Sequence, residues 1–598
     1  MKRKFLILML LACTFLGHAQ VNRPKLVVGI VVDQMRWDYL YFYNKEYVSD
    51  GFKRLLSEGY SCQNTMVPYI PTVTAIGHSC VYTGSVPALM GILGNSFYIN
   101  GKDTYCCGDE TVQSVGSDSK EGKMSPRNLL ASTIGDELKL ATNYKSKVFG
   151  VALKDRASIL PAGHSADAAY WWDTSAGHFV TSTYYMNQLP TWVNDFNKAH
   201  QQKPGYDIKL DVKGITVTFD MAEAILKNEN LGQGTETDML TVSISPTDAI
   251  GHKFSTRGPE NHDAYIQLDR DLARFFKTLD AQVGRGNYLV FLTADHGGSH
   301  NPNFMRSHKM PAGGFECWNV VKELNQQLQQ AFGTTTNFVL GENALRVFLD
   351  HKSIASANLN LKDVKAKAKE LLEKKPNVTY VVDYDEVATM PIAQPIRERI
   401  INGYSRERGG DLLIVTNPGW INSSANPTYK GTSHSLWNPD DSHIPLIFMG
   451  WGVKPGETSR PTFMTDIAPS VCSLLHIQMP NACVGKRPLW PIGVQGVNLI
   501  FPRIQKQSTG AQAKLASALA CQVGGYMVAK WCRFNVSQLS GNPQREINQR
   551  RLACMCIRGS SQDSPRKEAI PPGLVSVQAE SRGTYVWRRL AGGQRQEM

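Results

Sequence analysis

The chain has 598 residues, 42% hydrophobic and 19% charged, the balance of a soluble protein able to bury one large core or several smaller ones. Its formal charge of +12 sits at the two ends. Residues 487–598 hold 16 Lys+Arg against 5 Asp+Glu, and Lys2, Arg3 and Lys4 add three more, so residues 21–486 carry −2. That argues against nucleic acid as a dedicated partner of the main domain, and no apolar run beyond the N-terminus is long enough to predict a transmembrane span.

The start, "MKRKFLILMLLACTFLGHAQ", has a basic head, a short apolar centre and small residues near Ala19, the pattern of a secretory signal peptide over residues 1–20. Cleavage near Ala19 or Gln20 predicts a periplasmic or secreted protein. Cys13 in "LLAC" raises lipoprotein anchoring as a lesser alternative, because Leu11 is a poor fit two positions before such a cysteine.

Short β-rich apolar runs then recur: "KLVVGIVVDQ" (25–34), "KVFGVAL" (147–153), "DMLTVSIS" (238–245), "NYLVFLTADHG" (287–297), "DLLIVTN" (411–417) and "IPLIFMGWG" (444–452). Amphipathic stretches such as 128–142 and 263–283 lie between them. Near-continuous hydrophobic strands alternating with helices predict an α/β sandwich whose mostly parallel central sheet is covered by helices on both faces. Seven cysteines fall between Cys62 and Cys483. An exported destination permits disulfides, but the odd number leaves pairing open, and C-x-x-C metal spacings are absent. Residues 487–598 lose sustained periodicity and read as a basic extension, poorly ordered or artefactual, with no chemistry assigned.

In such sheets, ligands gather outside the carboxyl ends of the strands. Asp33 ends the first run; Lys154 and Arg156 follow the second; Asp248 and His252 follow the third; Asp295 and His296 close the fourth; His434 lies in the loop before the last. Three carboxylates and three imidazoles form a nitrogen–oxygen set suited to zinc, divisible into two sites of three ligands. Two such ions about 4 Å apart clamp the attacking and leaving oxygens of an in-line displacement. "YIPTVTAIGHSC" (69–80) places Thr72 and Thr74 where an apolar run gives way to a helix. A threonine there either caps the helix or acts as a metal-activated nucleophile, with helix N–H groups facing a phosphate. "DxxGH" (248–252) taken alone is matched equally by a capping Asp and a core His. "ADHG" (294–297) is more specific, since adjacent Asp and His at a strand end are hard to explain by packing.

The motifs "VVDQMRWDYL", "PTVTAIGH", "GNSFY", "LKDRASILPAGH", "TDAIGH", "TADHG", "GTSHS" and "HIPLIFMGWG" occur in family order. Through them, residues 21–486 resemble the alkaline phosphatase superfamily, in its phosphate-irrepressible, type I phosphodiesterase/nucleotide pyrophosphatase-like branch. The resemblance implies an alkaline-phosphatase-like three-layer sandwich over 21–486 and two Zn2+ per chain. Carried over by position, Thr74 is the metal-contacting nucleophile that becomes phosphothreonine. Asp33, Asp295 and His296 hold the zinc that activates it; Asp248, His252 and His434 hold the zinc facing the leaving oxygen. Asn95, Lys154 and Arg156 bind the nonbridging phosphoryl oxygens.

A monoester brings two negative charges, which a Lys–Asp–Arg turn meets with two cations, the arginine in a fork. Relatives that cleave diesters offer an apolar pocket there instead. The expected function is therefore hydrolysis of small phosphate monoesters, with release of inorganic phosphate, by an exported monomeric alkaline phosphatase. The alternatives are a phosphodiesterase or nucleotide pyrophosphatase on the same scaffold, and a catalytically inactive phosphate-binding module. A sulfatase is disfavoured, because no C/S-x-P-x-R sequence occurs. Thr72, His78 and His443 are read as structural neighbours of the site, and His300 and His308 are left outside it. Between Trp192 and Met221 the chain is shorter than in many relatives.

Overall fold

Strand β1 (Leu26–Val32) is buried at all seven positions, as a strand covered on both faces must be. Then come helix α1 (Thr74–Thr83), β2 (Val148–Ala152), α2 (Asp155–Ala162), β3 (Ala168–Asp173) and β4 (Asp238–Ile244). After these lie α3 (Pro246–Phe254), α4 (Pro259–Leu279), β5 (Tyr288–Thr293) and β6 (Leu446–Gly450). This computed structural model describes residues 21–486 and the backbone of two strands in the tail, Val575–Ala579 and Tyr585–Arg589, which pair with each other antiparallel. The expected signal peptide, Cys13 within it, and the remainder of the 487–598 extension lie outside the described residues.

The five central strands run parallel in the order β5-β1-β4-β2-β3. Their register levels the carboxyl ends: Val32 pairs with Ile244, Val31 with Thr293, and Ser243 with Ala152. The residues that follow these strands therefore emerge along one rim. Toward both edges the sheet becomes mixed. Strand β6 is antiparallel to β5, with Leu446 opposite Thr293, and the far edge is antiparallel as well. The mostly parallel expectation thus holds for the centre of the ten strands and not for the margins, because an apolar run carries no information about strand direction.

Helix α1 packs on α2, and α4 packs on the Lys213–Asn228 helix, giving two helical layers on the sheet. The helix expected over 128–142 begins only at Ile134. There Asp136 N donates to Thr133 Oγ1 at 3.2 Å and Thr133 N donates to Asp136 Oδ2 at 2.9 Å, a reciprocal capping box that fixes the start.

One strand is reassigned. The run at 411–417 does form a strand, Leu412–Thr416, but it joins a separate four-stranded antiparallel sheet with Val339–Asn343, Arg346–Leu349 and Val378–Asp383. That sheet and the Cys317–Phe332 and Leu361–Glu373 helices bury their own apolar core, including Leu324, Val347, Val364, Ala368 and Ile414. The seven described cysteines are unpaired thiols.

Candidate two-metal site and nucleophile

Each strand end delivers what its sequence promises. Asp33 follows β1 directly, Asp295 and His296 come two and three residues after β5, and Asp248 and His252 lie one turn apart on α3. His434 reaches the same place from the loop before β6, because the antiparallel direction of β6 puts its beginning at the rim where its neighbours end.

Candidate metal-facing atoms of Asp33, Asp295 and His296 lie within 4.8 Å of one another, as do those of Asp248, His296 and His434. His296 Nε2 is 3.6 Å from Asp33 Oδ1 and 3.4 Å from Asp295 Oδ2. His252 Nε2 is 3.2 Å from Asp248 Oδ1 and 3.2 Å from His434 Nε2. The first expected triad is brought together; in the second group His296 stands where His252 was expected, with His252 beside it, and the His296 ring stacks on that of His434 at 3.8 Å, a wall common to both groups. His252 is the most open member, with 40% of its side chain exposed, so the second triad faces solvent.

Backbone carbonyls orient all three imidazoles. His296 Nδ1 meets Gly297 O at 2.8 Å, His252 Nδ1 meets Thr432 O at 3.0 Å, and His434 Nδ1 meets Thr72 O at 2.5 Å. A proton fixed on each Nδ1 leaves each Nε2 lone pair available, the arrangement that metal-ligating histidines require.

The donor set fits a pair of divalent cations. Asp33 and Asp295 are fully buried, yet Asp33 Oδ1, Asp295 Oδ2 and His296 Nε2 have no hydrogen-bond partner. A buried polar atom without a partner costs about 1–3 kcal/mol, so three facing one another mark a place built for a cation. The electrostatics agree. Burial, reinforced by Asp248 and Asp295, holds the Asp33 carboxyl well above its usual range. Burial also acts to raise Asp248, but His252 and Lys154 outweigh it and hold that group well below. Asp295 is likewise lowered, His296 and His78 overcoming burial. Burial, with His296 and His252 beside it, keeps His434 neutral far below its ordinary range.

Thr74 opens α1 and is 1% exposed. The capping alternative fails here: Val73 is the N-cap, and the free donor of Ala75 is taken by Asn95 Oδ1 at 3.1 Å. Asn95, expected to bind a phosphoryl oxygen, thus lies at the turn that bears Thr74. The turn touches both triads, through Thr72 to His434 on one side and through His78, whose Nδ1 lies 3.3 Å from Asp295 Oδ2, on the other. Gly77 permits that closeness. A methyl there would meet Asp295 O at 2.3 Å and Asp295 Cβ at 2.5 Å. Gly77→Ala is expected to cost about 3 kcal/mol by overpacking, read from urea unfolding, and to depress activity by displacing Asp295.

Lys154 Nζ bridges the triads, 2.6 Å from Asp33 Oδ2 and 2.5 Å from Asp248 Oδ2. Burial opposes its charge, but those two carboxylates outweigh it and raise its pKa. Arg156 contacts no triad member; its Nη1 donates to Tyr105 OH at 3.0 Å, and Tyr105 donates in turn to Asp155 at 2.7 Å. Lys154 and Arg156 share the wall of a cavity of about 320 Å³ with Tyr105, Trp171, Trp172 and Lys209.

His443 stacks on Trp37 and meets Gln63 O, and His300 meets Thr256 Oγ1, so neither belongs to a triad. Sequence reasoning missed Gln34. Its N–H donates to Asp295 Oδ1 at 3.1 Å and its side-chain amide to Asp248 Oδ1 at 2.6 Å, tying one triad to the other. The same strand-end rule that selected Asp33 points to Gln34, its immediate neighbour.

Comparison with known proteins identifies the family. The family model for type I phosphodiesterase / nucleotide pyrophosphatase matches residues 27–437. Alkaline phosphatase PafA from Elizabethkingia meningoseptica is 45% identical, the match covering 81% of this chain and 98% of that protein. A Myroides odoratus protein named calcium-transporting ATPase is 44% identical with the same two coverages, 81% and 98%. A crystal structure of wild-type alkaline phosphatase PafA superposes with a TM-score of 0.75 at 46% identity, covering 79% of this chain and 100% of that one. The chain belongs to the alkaline phosphatase superfamily, in its type I phosphodiesterase / nucleotide pyrophosphatase branch.

Proposed function

We propose that the protein is an exported, monomeric, di-zinc alkaline phosphatase that hydrolyses small phosphate monoesters through a phosphothreonine at Thr74. The observation that carries this is the set of buried, partnerless oxygen and nitrogen atoms of Asp33, Asp295 and His296 beside the turn that bears Thr74. Those three residues would hold one ion, and Asp248, His252 and His434 the other. Bound there, the ions would supply Lewis acidity, lowering the pKa of a hydroxyl and offsetting charge that develops on oxygen.

The chain's own residues do the rest. Thr74 gives up its hydroxyl proton to solvent as Oγ1 forms a bond to phosphorus and the bond to the leaving oxygen breaks, and that oxygen departs on the solvent side, where His252 is open and water supplies the proton that makes it an alcohol. Water then attacks the phosphothreonine at phosphorus, releasing inorganic phosphate and restoring the hydroxyl. The N-terminus of α1 turns backbone N–H groups toward the phosphoryl group. Asn95, Lys154 and Arg156 orient its remaining oxygens, with Lys154 at the point where the two triads meet. Such hydrolysis is among the slowest uncatalysed reactions, with accelerations up to ~10²¹-fold, which accounts for so many charges around so small a group.

The names borne by the relatives agree on the bond: a phosphatase and an ATPase both pass a phosphoryl group to water. Export rests on the signal-like residues 1–20; no helix among the described residues is long and apolar enough to cross a membrane. Lys154 between the triads and Arg156 on the wall of the same cavity favour the doubly charged monoester over a diester. Comparison of an aryl phosphate with its methyl diester tests this. The parent is expected to prefer the monoester in kcat/KM, and Arg156→Ala to lower monoester turnover by about 10²–10³-fold while changing diester turnover only a few-fold. A parent that prefers the diester would reverse the assignment. A parent that binds phosphate without turnover after zinc addition would make it a binding module.

A further inference from the structure

Asp441 is fully buried in the segment before β6, carries no expected chemistry, and touches every loop that serves the metal-facing histidines. Its Oδ1 accepts from Ser299 Oγ at 2.7 Å. Its Oδ2 accepts from Leu436 N at 2.8 Å and lies 3.4 Å from Thr72 Oγ1, whose proton it shares with Leu436 O at 3.2 Å. Its backbone carbonyl accepts from Gly297 N at 2.8 Å. Those partners belong to three segments far apart in sequence: the turn before Thr74, the loop after His296, and the loop around His434.

The carbonyls that aim the imidazoles come from the same places. Thr72 O orients His434 and Gly297 O orients His296. Thr432 O, which orients His252, is tied in through Ser299, since Thr432 Oγ1 donates to Ser299 O and Ser299 N donates to Ser433 O at 3.1 Å. Ser435 N closes the circuit by donating to Thr72 Oγ1 at 3.1 Å. Asp441 therefore ties to all three residues whose carbonyls set imidazole direction: its carboxylate reaches Thr72 directly and Thr432 through Ser299, while its backbone carbonyl holds Gly297 two residues before that serine. A buried carboxylate that unites three segments does more than satisfy local donors, because losing it loosens them together.

We propose that Asp441 is a positioning residue that clamps these three loops and so aims His252, His296 and His434 at a common metal pair. The proposal rests on the metal reading of the site, and it makes an additional claim about loop geometry that is measurable without metal. Outer partners of this kind are worth about 10–100-fold in metal affinity.

The test is Asp441→Asn, which keeps shape and volume. Asp269→Asn is the control: Asp269 is as deeply buried and accepts from Phe52 N and Val48 N at 2.7 and 2.6 Å, away from the site. Zinc release to a chelator is expected to be about 10-fold or more faster in Asp441→Asn, with kcat lowered and KM little changed. In the metal-stripped variant, hydrogen exchange should rise together in residues 72–75, 297–299 and 432–436. Asp269→Asn should lose thermal stability and show neither effect. Zinc release at the parent rate, or exchange rising in only one of the three segments, would overturn the clamp. If the parent itself takes up no zinc, the metal reading fails, and the exchange pattern still decides whether Asp441 unites the loops.

Discussion

Thr74→Ala is expected to remove turnover of an aryl phosphate almost entirely, lowering kcat/KM by at least about 10⁴-fold, while the protein folds and takes up metal as the parent does. The structure separates these two outcomes. Thr74 is the first residue of α1 and its side chain caps nothing; the helix start is held by Val73 in extended geometry and by Asn95 on the N–H of Ala75. Loss of the hydroxyl should therefore change stability by less than about 1 kcal/mol, the range for substitutions that break no cap, network or large packing contact. The second readout is covalent. Acid-quenching the parent during turnover of labelled phosphate ester should leave label on Thr74, and Thr74→Ala should leave none. Thr74→Ser, which keeps an oxygen at that place, should retain label and a measurable rate. If Thr74→Ala stayed within tenfold of the parent, water would have to be the direct attacking group.

Much of this site was readable in the sequence for a definite reason. Strands buried on both faces read as continuous apolar runs, and a level register brings the residues that follow each run to one rim; Asp33 comes directly after its strand, and Asp295, His296 and Asp248 within four residues of theirs. His434 is instructive because it was located in the right loop while its strand was given no direction. Only the antiparallel pairing of Leu446 with Thr293 explains why a residue before a strand joins residues that come after other strands. The second sheet was not readable, since the run at 411–417 is as apolar as the central strands and pattern cannot say which sheet a strand joins. Gln34, Asp441 and the bridging place of Lys154 were missed for a related reason: what they do is set by partners 214, 142 and 94 positions away.

Removal of divalent metal with EDTA is expected to lower activity by at least about 10³-fold and to lower the melting temperature by several degrees, both recovered on adding zinc. The charge balance at the triads is the cause. Asp33, Asp248 and Asp295 are buried together, and the one ammonium among them is Lys154. Without divalent cations, burial and the neighbouring carboxylates destabilise the charged form of Asp33, as the rise in its pKa records. Asp33→Asn should then act with opposite signs in the two states. In stripped protein it replaces a carboxyl whose ionisation burial and its neighbours oppose with an amide whose carbonyl still faces Lys154, and unfolding should become harder by about 1–2 kcal/mol. In zinc-loaded protein it removes a ligand, so stability should fall and turnover should drop by about 10²-fold or more. A variant equally destabilised in both states would show that ordinary hydrogen bonding, and no cation, satisfies Asp33. Opposite signs would tie its carboxylate to the metal through stability alone, without any assay of the reaction.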